Sequence, residues 1–490
     1  MTRKEPSLGL SLLPCGVLMA LLILNVRLFQ DDSSSGPNQI ALLLSAMFAG
    51  GIGHFVLKMD YREFEKRAIR SIVLAMEAMI ILLVVGCLIG LWIFSGVVPT
   101  MVYYGIQVLS PSVFLVVTCV LCAIVSLAIG SSWSTMGTVG IALIGIGQAL
   151  GFPVSLVAGA IISGAYFGDK MSPLSDTTNL APAVAGTNLF IHIRHMFYTT
   201  IPAYTITLLI FGCIGLFYQP GAYNAATVDA LTNALAVEFN VHPLLLAVPA
   251  LVILLAARRM PAIPALVIGA VLGALTGVIF QPQQLTGDLA AGAAAQAYMR
   301  VLDIAYNGFV MDTGNEVMDA LLSRGGMVNM FFTITLIISA MLFGGIMEAT
   351  GMLTRIARAI LSKVRGAGSL LGATIGSCIL FNVFAAEQYL SIIIPGRMFR
   401  PAYVQQDLAP RNLSRALEDG GTVTSVLVPW NTCGAFAASV LAVPTLSYLP
   451  FCFFNLLCPL VSSVMAGMHL AIVRGASADN PPGLDPGEPS

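Results

Sequence analysis

The sequence is poor in charged residues. They make up 10% of the 490 residues, whereas a soluble protein of this length carries about a quarter. Hydrophobic residues make up 57%, and apolar runs long enough to span a bilayer recur from Leu8 to Ala471. The net charge of −1 provides no basic surface for nucleic acid. The composition therefore excludes a soluble domain of ordinary size and a nucleic-acid-binding protein, and predicts an all-α polytopic membrane protein in a lipid bilayer.

Common catalytic motifs are also missing. The chain has no GxxxxGK phosphate-binding loop, no HExxH and no GxSxG, which argues against ATP-driven pumping and against hydrolysis. Nine cysteines lie in apolar stretches, and the one CxxC, Cys119 and Cys122, lacks a second pair or a nearby histidine to complete a metal site. We therefore expect no enzyme and no cofactor.

The apolar runs predict about ten transmembrane spans and two re-entrant hairpins. The hairpins, 111–150 and 367–396, each carry a polar patch in the middle, and two crossings, 153–186 and 416–443, are interrupted by Gly, Pro, Ser and Thr. This order places 19 of the 23 basic residues, including Arg415, in predicted cytoplasmic loops, so the positive-inside rule puts both termini in the cytoplasm. Continuous spans are predicted near 8–26, 39–57, 71–95, 196–217, 239–257, 262–280, 329–350 and 445–473.

The order span, hairpin, broken crossing, span occurs twice, with opposite predicted orientation. This predicts two inverted-topology repeats with broken helices, an architecture that places a binding site near the middle of the bilayer. Residues 168–175 can be laid on 418–425, which pairs acid with acid and hydroxyl with hydroxyl. The predicted divisions are 1–70 (helical pair and basic loop), 71–217 (first repeat), 218–328 (connecting spans and periplasmic loops), 329–474 (second repeat) and 475–490 (disordered cytoplasmic tail).

The first broken crossing carries the strongest functional signal. Its polar residues fall where an apolar crossing is expected, and irregular backbone at membrane depth survives only inside protein or around a water-filled cavity. Carboxylates, hydroxyls and amide oxygens are ligands for a hard cation. The alternative is an interfacial loop with a helix cap at Ser175 or Asp176. The candidate binding residues here are Asp169, Ser172, Ser175, Asp176, Thr177, Thr178 and Asn179.

Three further segments supply candidates. The second broken crossing offers uncharged oxygens near Pro429, which interrupts the helical hydrogen-bond ladder, and the alternative role for them is packing between helices. The two hairpin tips add hydroxyls and one acid, and the alternative for that acid is a tip that reaches the far headgroups. The candidates are Thr422, Ser425, Asn431 and Thr432 in the crossing, Ser132, Ser134 and Thr135 in the first tip, and Asn382 and Glu387 in the second.

Other polar residues have two readings each. Lys170 is a charge partner for Asp169 or Asp176, or for an organic anion. Glu77 is either proton-linked or snorkels to the cytoplasmic surface. His192 and His195 are predicted to lie in a solvated cytoplasmic loop, with a pH-sensing role as the alternative. Gly269, Gly273 and Gly277 form a small-residue stripe for close packing or for a homodimer.

Four stretches resemble NhaC-type sodium/proton antiporters. They are SSWSTMGTVGIALIGIG, VAGAIISGAYFGDKMSPLSDTTNLAPAVAGTNLFIHIRHM, EQYLSIIIPGRMF and LAPRNLSRALEDGGTVTSVLVPWNTCGAF, within roughly 70–470. The resemblance implies exchange of sodium for protons across the bacterial inner membrane, with Na⁺ and H⁺ as coupling ions. By analogy it implies ion-site candidates at Asp169, Ser172, Asp176, Thr177, Thr178 and Asn179, with Asn431 and Thr432 opposite. Our hypothesis for the sodium ligands is Asp169, Asp176, Thr177 and Asn179. One departure is Glu387, where the family more often has aspartate.

Two functions remain open at this stage. The first is a sodium/proton antiporter working by alternating access on small cations. The second is a sodium- or proton-coupled carrier of a small organic anion or amino acid, such as a malate/lactate-type exchanger. There the hairpin tips would present helix N-termini to the carboxylate of the cargo.

Overall fold

The computed structural model describes residues 5–29, 36–217, 225–285, 293–313, 319 and 322–475, with the backbone alone for 225–231 and 293. Within these ranges the chain is helical, and β-structure is limited to two isolated bridges, Phe309 with Arg324 and Leu408 with Arg474. The predicted all-α class is confirmed. Apart from Gly475, the predicted tail 475–490 lies outside the described residues.

The described α-helices are numbered in chain order. They are α1 Leu8–Phe29, α2 Pro37–Gly51, α3 Tyr61–Leu74, α4 Met76–Phe94, α5 Val97–Val108, α6 Pro111–Ile129, α7 Ser132–Thr135, α8 Ile141–Ala149, α9 Val154–Met171, α10 Asp176–Ala185, α11 Leu189–Phe217, α12 Ala225–Glu238, α13 Ala247–Ala257, α14 Ala262–Phe280, α15 Ala293–Asn307, α16 Phe331–Ala349, α17 Met352–Leu361, α18 Ala367–Phe384, α19 Gln388–Gln405, α20 Pro410–Leu417, α21 Thr432–Leu441, α22 Thr445–Tyr448 and α23 Phe453–Gly467. π-Helical turns occur at Ile52–Val56, Met136–Gly140 and Glu418–Thr422.

Many of these helices have the length and composition of membrane spans. Among the described residues, eight helices are long and apolar enough to cross a membrane, or up to 11 if each of three bent pairs counts as one span. One bent pair, Pro410–Leu427 with Thr432–Leu441, turns by 45° and coincides with the predicted broken crossing 416–443. The polytopic membrane architecture is confirmed. Because α6 and α18 also qualify as spans by length, the re-entrant hairpins remain a prediction.

Close packing of α6 against α9 determines the relative position of these two helices in the first half. A Cβ at Gly164 would lie 2.0 Å from the carbonyl oxygen of Cys119, and one at Gly168 would lie 2.3 Å from that of Ala123. Only glycine allows two helix backbones to approach this closely. α6 ends at Ile129, and the φ of 77° at the following Gly130 is the left-handed conformation typical of a helix terminus. The last turn of α9 is thereby placed next to the turn that follows α6.

The helices of the first half recur with a constant spacing of 256 residues. α10 (Asp176–Ala185) corresponds to α21 (Thr432–Leu441), because both ends are offset by 256 residues. The first residues of α9 and α20, Val154 and Pro410, have the same offset. Left-handed residues recur at the same spacing, since Gly130 matches Ala386 and Gly186 matches Ala442. This recurrence supports two repeats of one architecture, whose opposite orientation remains a prediction. It also corrects the pairing of 168–175 with 418–425, which is six residues out of register, because Asp169 corresponds to Ser425.

Three further expectations can be compared with the packing. His192 and His195 lie in α11 and are buried, so the expected solvated loop is wrong there. Arg415 was assigned to a cytoplasmic loop and is instead buried in α20. The stripe of Gly269, Gly273 and Gly277 packs against side chains of α4 such as Trp92 and Phe94, as close packing within the chain requires.

Candidate functional site

The tips of both hairpin segments, the first helix break and the first residues of α21 meet at one cavity of about 420 Å³. We call 130–135 the first tip, 385–389 the second tip, 172–175 the first break and 428–431 the second break. From the first half, the cavity is lined by Glu77 of α4, Ser131, Ser132, Trp133 and Ser134 of the first tip, Asp169 of α9, Leu174 and Ser175 of the first break, and Asp176 and Thr177 of α10. From the second half, it is lined by Glu387, Gln388 and Tyr389 of the second tip and by Thr432 and Cys433 of α21. The turn between α13 and α14 adds Arg259 and Met260.

Asp169 is the best-anchored acid of the cavity. Its Oδ2 accepts hydrogen bonds from the backbone N–H of Ser132 at 3.1 Å and from the Ser132 hydroxyl at 2.7 Å. Ser132 begins a helix that runs through a π-helical turn to Ala149, so Asp169 lies at a helix N-terminus, where negative charge is favoured. The carboxylate is buried but contacts the cavity. It is therefore held in a fixed position, and no basic side chain in the described ranges forms an ion pair with it.

The first break combines capping with a cavity surface. The Ser175 hydroxyl accepts from the N–H of Thr178 at 3.5 Å and caps α10, as the alternative reading of this residue expected. Asp176 and Thr177 follow it at the cavity. Asn179 points elsewhere, since its amide donates to the carbonyl oxygens of Pro173 and Ser175 at 3.0 and 2.7 Å. The break is thus stabilised by its own polar side chains while the acids face the cavity.

The second tip contributes an acid that caps its own helix. Glu387 precedes α19, and its Oε2 accepts from the N–H of Leu390 at 3.0 Å. The side chain is buried and lines the cavity. Nearby, Trp133 of the first tip stacks on Phe436 of α21 with ring centroids 4.1 Å apart. Contacts between the two halves therefore form the walls of the cavity.

Several predicted candidates do not line the cavity but brace it. Asn382 donates to the carbonyl oxygen of Gly421 at 2.7 Å, and Asn431 donates to Asn382. Gln388 donates to the Ser425 hydroxyl at 3.2 Å, at the positions that match Ser132 and Asp169. The candidates outside the cavity lining are Ser172, Thr178, Asn179, Asn382, Thr422, Ser425, Asn431 and Thr135.

The charges around the cavity are predominantly negative. Four acids contact it, Glu77, Asp169, Asp176 and Glu387, against a single base, Arg259. A cleft lined by one sign of charge concentrates counter-ions. Sequence reasoning missed Arg259, because it sits in a short basic turn that looked like an ordinary cytoplasmic loop. It also missed Gln388, Tyr389 and Cys433, which carry no distinctive signal.

A second cluster of ionisable groups lies between the halves and outside the cavity lining. Lys170 forms an ion pair with Asp419, and both side chains are fully buried. Asp169 and Asp176 were predicted as the charge partners of Lys170. This prediction is wrong, because Lys170 leaves α9 on the side that faces the π-helical turn 418–422. The Asp419 Oδ1 also accepts from the Thr199 hydroxyl at 3.3 Å. The adjacent acids Glu418 and Asp419 were used only to align the two repeats and were not predicted as site residues.

Known proteins resemble this chain over nearly its full length. The model of the Na⁺/H⁺ antiporter family matches residues 164–469. The chain is 38% identical over 478 residues to the Na⁺/H⁺ antiporter NhaC of Alkalihalophilus pseudofirmus, covering 98% of this chain and 99% of that protein. It is 40% identical to the malate-2H⁺/Na⁺-lactate antiporter of Bacillus subtilis (91% and 92% covered), and 36% identical to the arginine/ornithine antiporter ArcD of Halobacterium salinarum (94% and 92% covered). The chain belongs to the Na⁺/H⁺ antiporter family.

Proposed function

We propose that this chain exchanges sodium for protons across a membrane by alternating access, with the cavity between the two tips as its ion site. The observation that carries the proposal is that four acids and several hydroxyls from both halves line one cavity. Oxygen ligands suit a hard cation such as sodium. Family membership supports Na⁺ and H⁺ as the coupled ions.

Exchange follows if sodium and protons compete for the same carboxylates. Asp169 is held by Ser132, and the carboxylate of Asp176 lies at the same cavity. A protonated carboxyl is a poor sodium ligand, and bound sodium opposes protonation, so one site holds one ion or the other. The hydroxyls of Thr177 and Thr432 supply neutral oxygens at the same cavity. Proton release and sodium binding are thereby linked at fixed groups.

The lining also supports an opening to the cytoplasm. The cavity reaches Glu77 and the turn that holds Arg259, and both lie next to basic segments that the positive-inside rule assigns to the cytoplasmic side. We place the protein in the bacterial inner membrane as a multi-pass chain with both termini cytoplasmic. Rocking of one repeat against the other would then expose the tips to the opposite side.

Flux measurements on purified protein in proteoliposomes test the proposal. A pH gradient is imposed, and an internal pH-sensitive dye reports its loss when sodium, lithium or potassium is added without any organic solute. We expect sodium to dissipate the gradient. Asp169→Asn and Asp176→Asn should abolish the response while the protein still inserts and purifies as a folded protein. Retention of wild-type flux in both variants would remove the cavity from the mechanism.

A matched control is Asp303→Asn. Asp303 is an exposed acid of α15 that pairs with Arg300 at 3.1 Å and lies outside the cavity lining. The substitution removes one carboxylate from the protein without touching the proposed site. We expect sodium-driven proton flux to stay at the wild-type level, which separates a site effect from a general effect of lost negative charge.

A second candidate function is coupled transport of a small carboxylate or amino acid. The cavity volume of about 420 Å³ lies in the range of small-molecule sites, and Arg259 lines it. Two relatives are named for organic solutes, malate and lactate or arginine and ornithine. The same proteoliposomes discriminate the two functions when these solutes are added singly. Strict dependence of proton flux on one of them would favour the second candidate.

A further inference from the structure

Glu418 is a buried acid that has no ion pair among the described residues. It lies on the π-helical turn that continues α20, and its side chain is fully buried. Neither carboxyl oxygen has a hydrogen bond of ordinary geometry among the described residues, and the nearby Thr422 hydroxyl also lacks one. Its neighbour Asp419, in contrast, contacts Lys170, Thr199 and Cys458. A buried polar group without a partner calls for an explanation other than stability.

The fold does not require an acid at this position. At the repeat spacing of 256 residues, the first half has Ile162 where the second half has Glu418, and Ser163 where it has Asp419. Ile162 and Ser163 are buried in α9, which packs normally there. These two matching positions are therefore occupied once by residues that do not ionise and once by two acids. The acids are an addition to the architecture.

Lys170 is placed between the second half and the cavity. It follows Asp169 directly on α9, so one residue contacts the cavity and the next contacts Asp419. The Lys170 ammonium attracts the carboxylate of Glu418 electrostatically, as it does that of Asp419. Asp169 also interacts electrostatically with Glu418. The other ionisable groups of the buried cluster are Arg415 on α20, Cys378 on α18, Tyr403 on α19, Cys458 on α23 and His192 on α11.

We propose that Glu418 is a proton-binding site of the exchanger, separate from the cavity acids and coupled to them through Lys170. The inference rests on the proposed sodium/proton exchange. With Lys170 held by Asp419, Glu418 has no ion-pair partner within 4 Å among the described residues, and an unpaired carboxylate is costly in a buried site. The protonated acid, with an O–H bond, is then the form the site accepts.

Release of the Glu418 proton requires Lys170 to interact with Glu418 as well as with Asp419. When the O–H bond of Glu418 breaks, the proton passes to water and the carboxylate remains. Lys170 can compensate this charge only by moving toward Glu418, away from Asp419. Because Lys170 is attached to the turn that carries Asp169, movement of α9 relative to α20 changes both the cavity and the proton site. Ion occupancy at Asp169 is thereby linked to protonation of Glu418.

The test compares sodium movement with proton movement in Glu418→Gln. Glutamine imitates the protonated acid permanently. In proteoliposomes we expect exchange of labelled sodium for unlabelled sodium at the wild-type rate, whereas the number of protons moved per sodium falls at least twofold. An unchanged proton-to-sodium ratio would overturn the inference. Glu348→Gln, a partly exposed acid of α16 outside the cavity lining, is the matched control and should change neither quantity.

A measurement on the unmodified chain covers the case in which Glu418→Gln fails to fold. Dicyclohexylcarbodiimide reacts with protonated carboxyls in apolar surroundings and leaves an N-acylurea that peptide mass spectrometry locates. We expect label on Glu418 that decreases as the pH is raised, and no label on the paired Asp419. Absence of label on Glu418, or label independent of pH, would overturn the inference. If the unmodified chain shows no sodium-driven proton flux at all, the proposed function itself has failed.

Discussion

Lys170 and Asp419 form a fully buried ion pair that joins the two halves of the chain across 249 residues of sequence. Lys170 is on the last turn of α9, and Asp419 is on the π-helical turn after α20. Buried charges are tolerated when they are paired and hydrogen-bonded, and Asp419 has Thr199 and Cys458 as additional contacts. The pair therefore fixes the relative position of two broken helices next to the cavity.

Removal of Lys170 should destabilise the protein strongly. Lys170→Met leaves Asp419 as an uncompensated buried charge, and we expect a loss of about 3–5 kcal/mol in the free energy of unfolding. The double variant with Asp419→Asn removes both charges and should recover most of that loss. Unfolding in mixed micelles measures both values.

An exposed pair provides the comparison for this prediction. Glu63 and Arg67 are separated by 3.5 Å on α3 with both side chains about 40% exposed. Arg67→Ala should cost at most about 1 kcal/mol, because solvent screens exposed ion pairs. If Lys170→Met costs no more than Arg67→Ala, the buried pair does not hold the halves together.

Ser132 should control sodium affinity through Asp169. Ser132→Ala removes the 2.7 Å hydroxyl bond to Asp169 and leaves the backbone bond at 3.1 Å. Because partners of a metal ligand orient it, we expect the half-saturating sodium concentration to rise by about tenfold. Ser126→Ala is the control, since its hydroxyl bonds to the carbonyl oxygen of Ala165 away from the cavity lining. An equal shift in both variants would indicate a packing effect.

Glu387 should show separable roles as a helix cap and as a charge. Glu387→Gln keeps an oxygen acceptor for the N–H of Leu390, so we expect near-normal stability and weaker sodium dependence of transport. Glu387→Ala removes the cap as well and should cost a further ~1 kcal/mol of stability. Thermal unfolding and sodium titration of transport give the two readouts. Wild-type sodium dependence in Glu387→Gln would limit this residue to capping.

Gly130 should be essential for the fit of the first tip to the first break. Its φ is 77°, and a Cβ there would lie 2.6 Å from the Cβ of Leu174. Gly130→Ala adds roughly 1–2 kcal/mol of backbone strain and displaces the break that carries Ser175, so stability and transport should both fall. Gly376→Ala is the control, because nothing lies within 4 Å of its Cβ position. Normal transport in Gly130→Ala would show that the cavity tolerates a displaced tip.

Local patterns were enough for much of the fold. Apolar runs and their interruptions predicted two apolar segments with a polar middle, 111–150 and 367–396, and two broken crossings, 153–186 and 416–443, since these depend on hydrophobicity and on Gly, Pro and polar residues. The structure places the breaks at 172–175 and 428–431 within those crossings. The acids of the first break and Glu387 stood out because charge is rare in an apolar crossing. The repeat register did not emerge, because Asp169 and its counterpart Ser425 share position but not chemistry.

By itself, the sequence determined that this chain is a helical membrane protein with polar, acid-bearing interruptions in two similar halves. Only the tertiary structure decided which of those side chains share the cavity, which brace it, and that Lys170 pairs with Asp419 rather than with Asp169. The physical reason is that hydrophobicity and turn propensity act over a few residues. The partner of a buried charge is set by how helices far apart in sequence pack together.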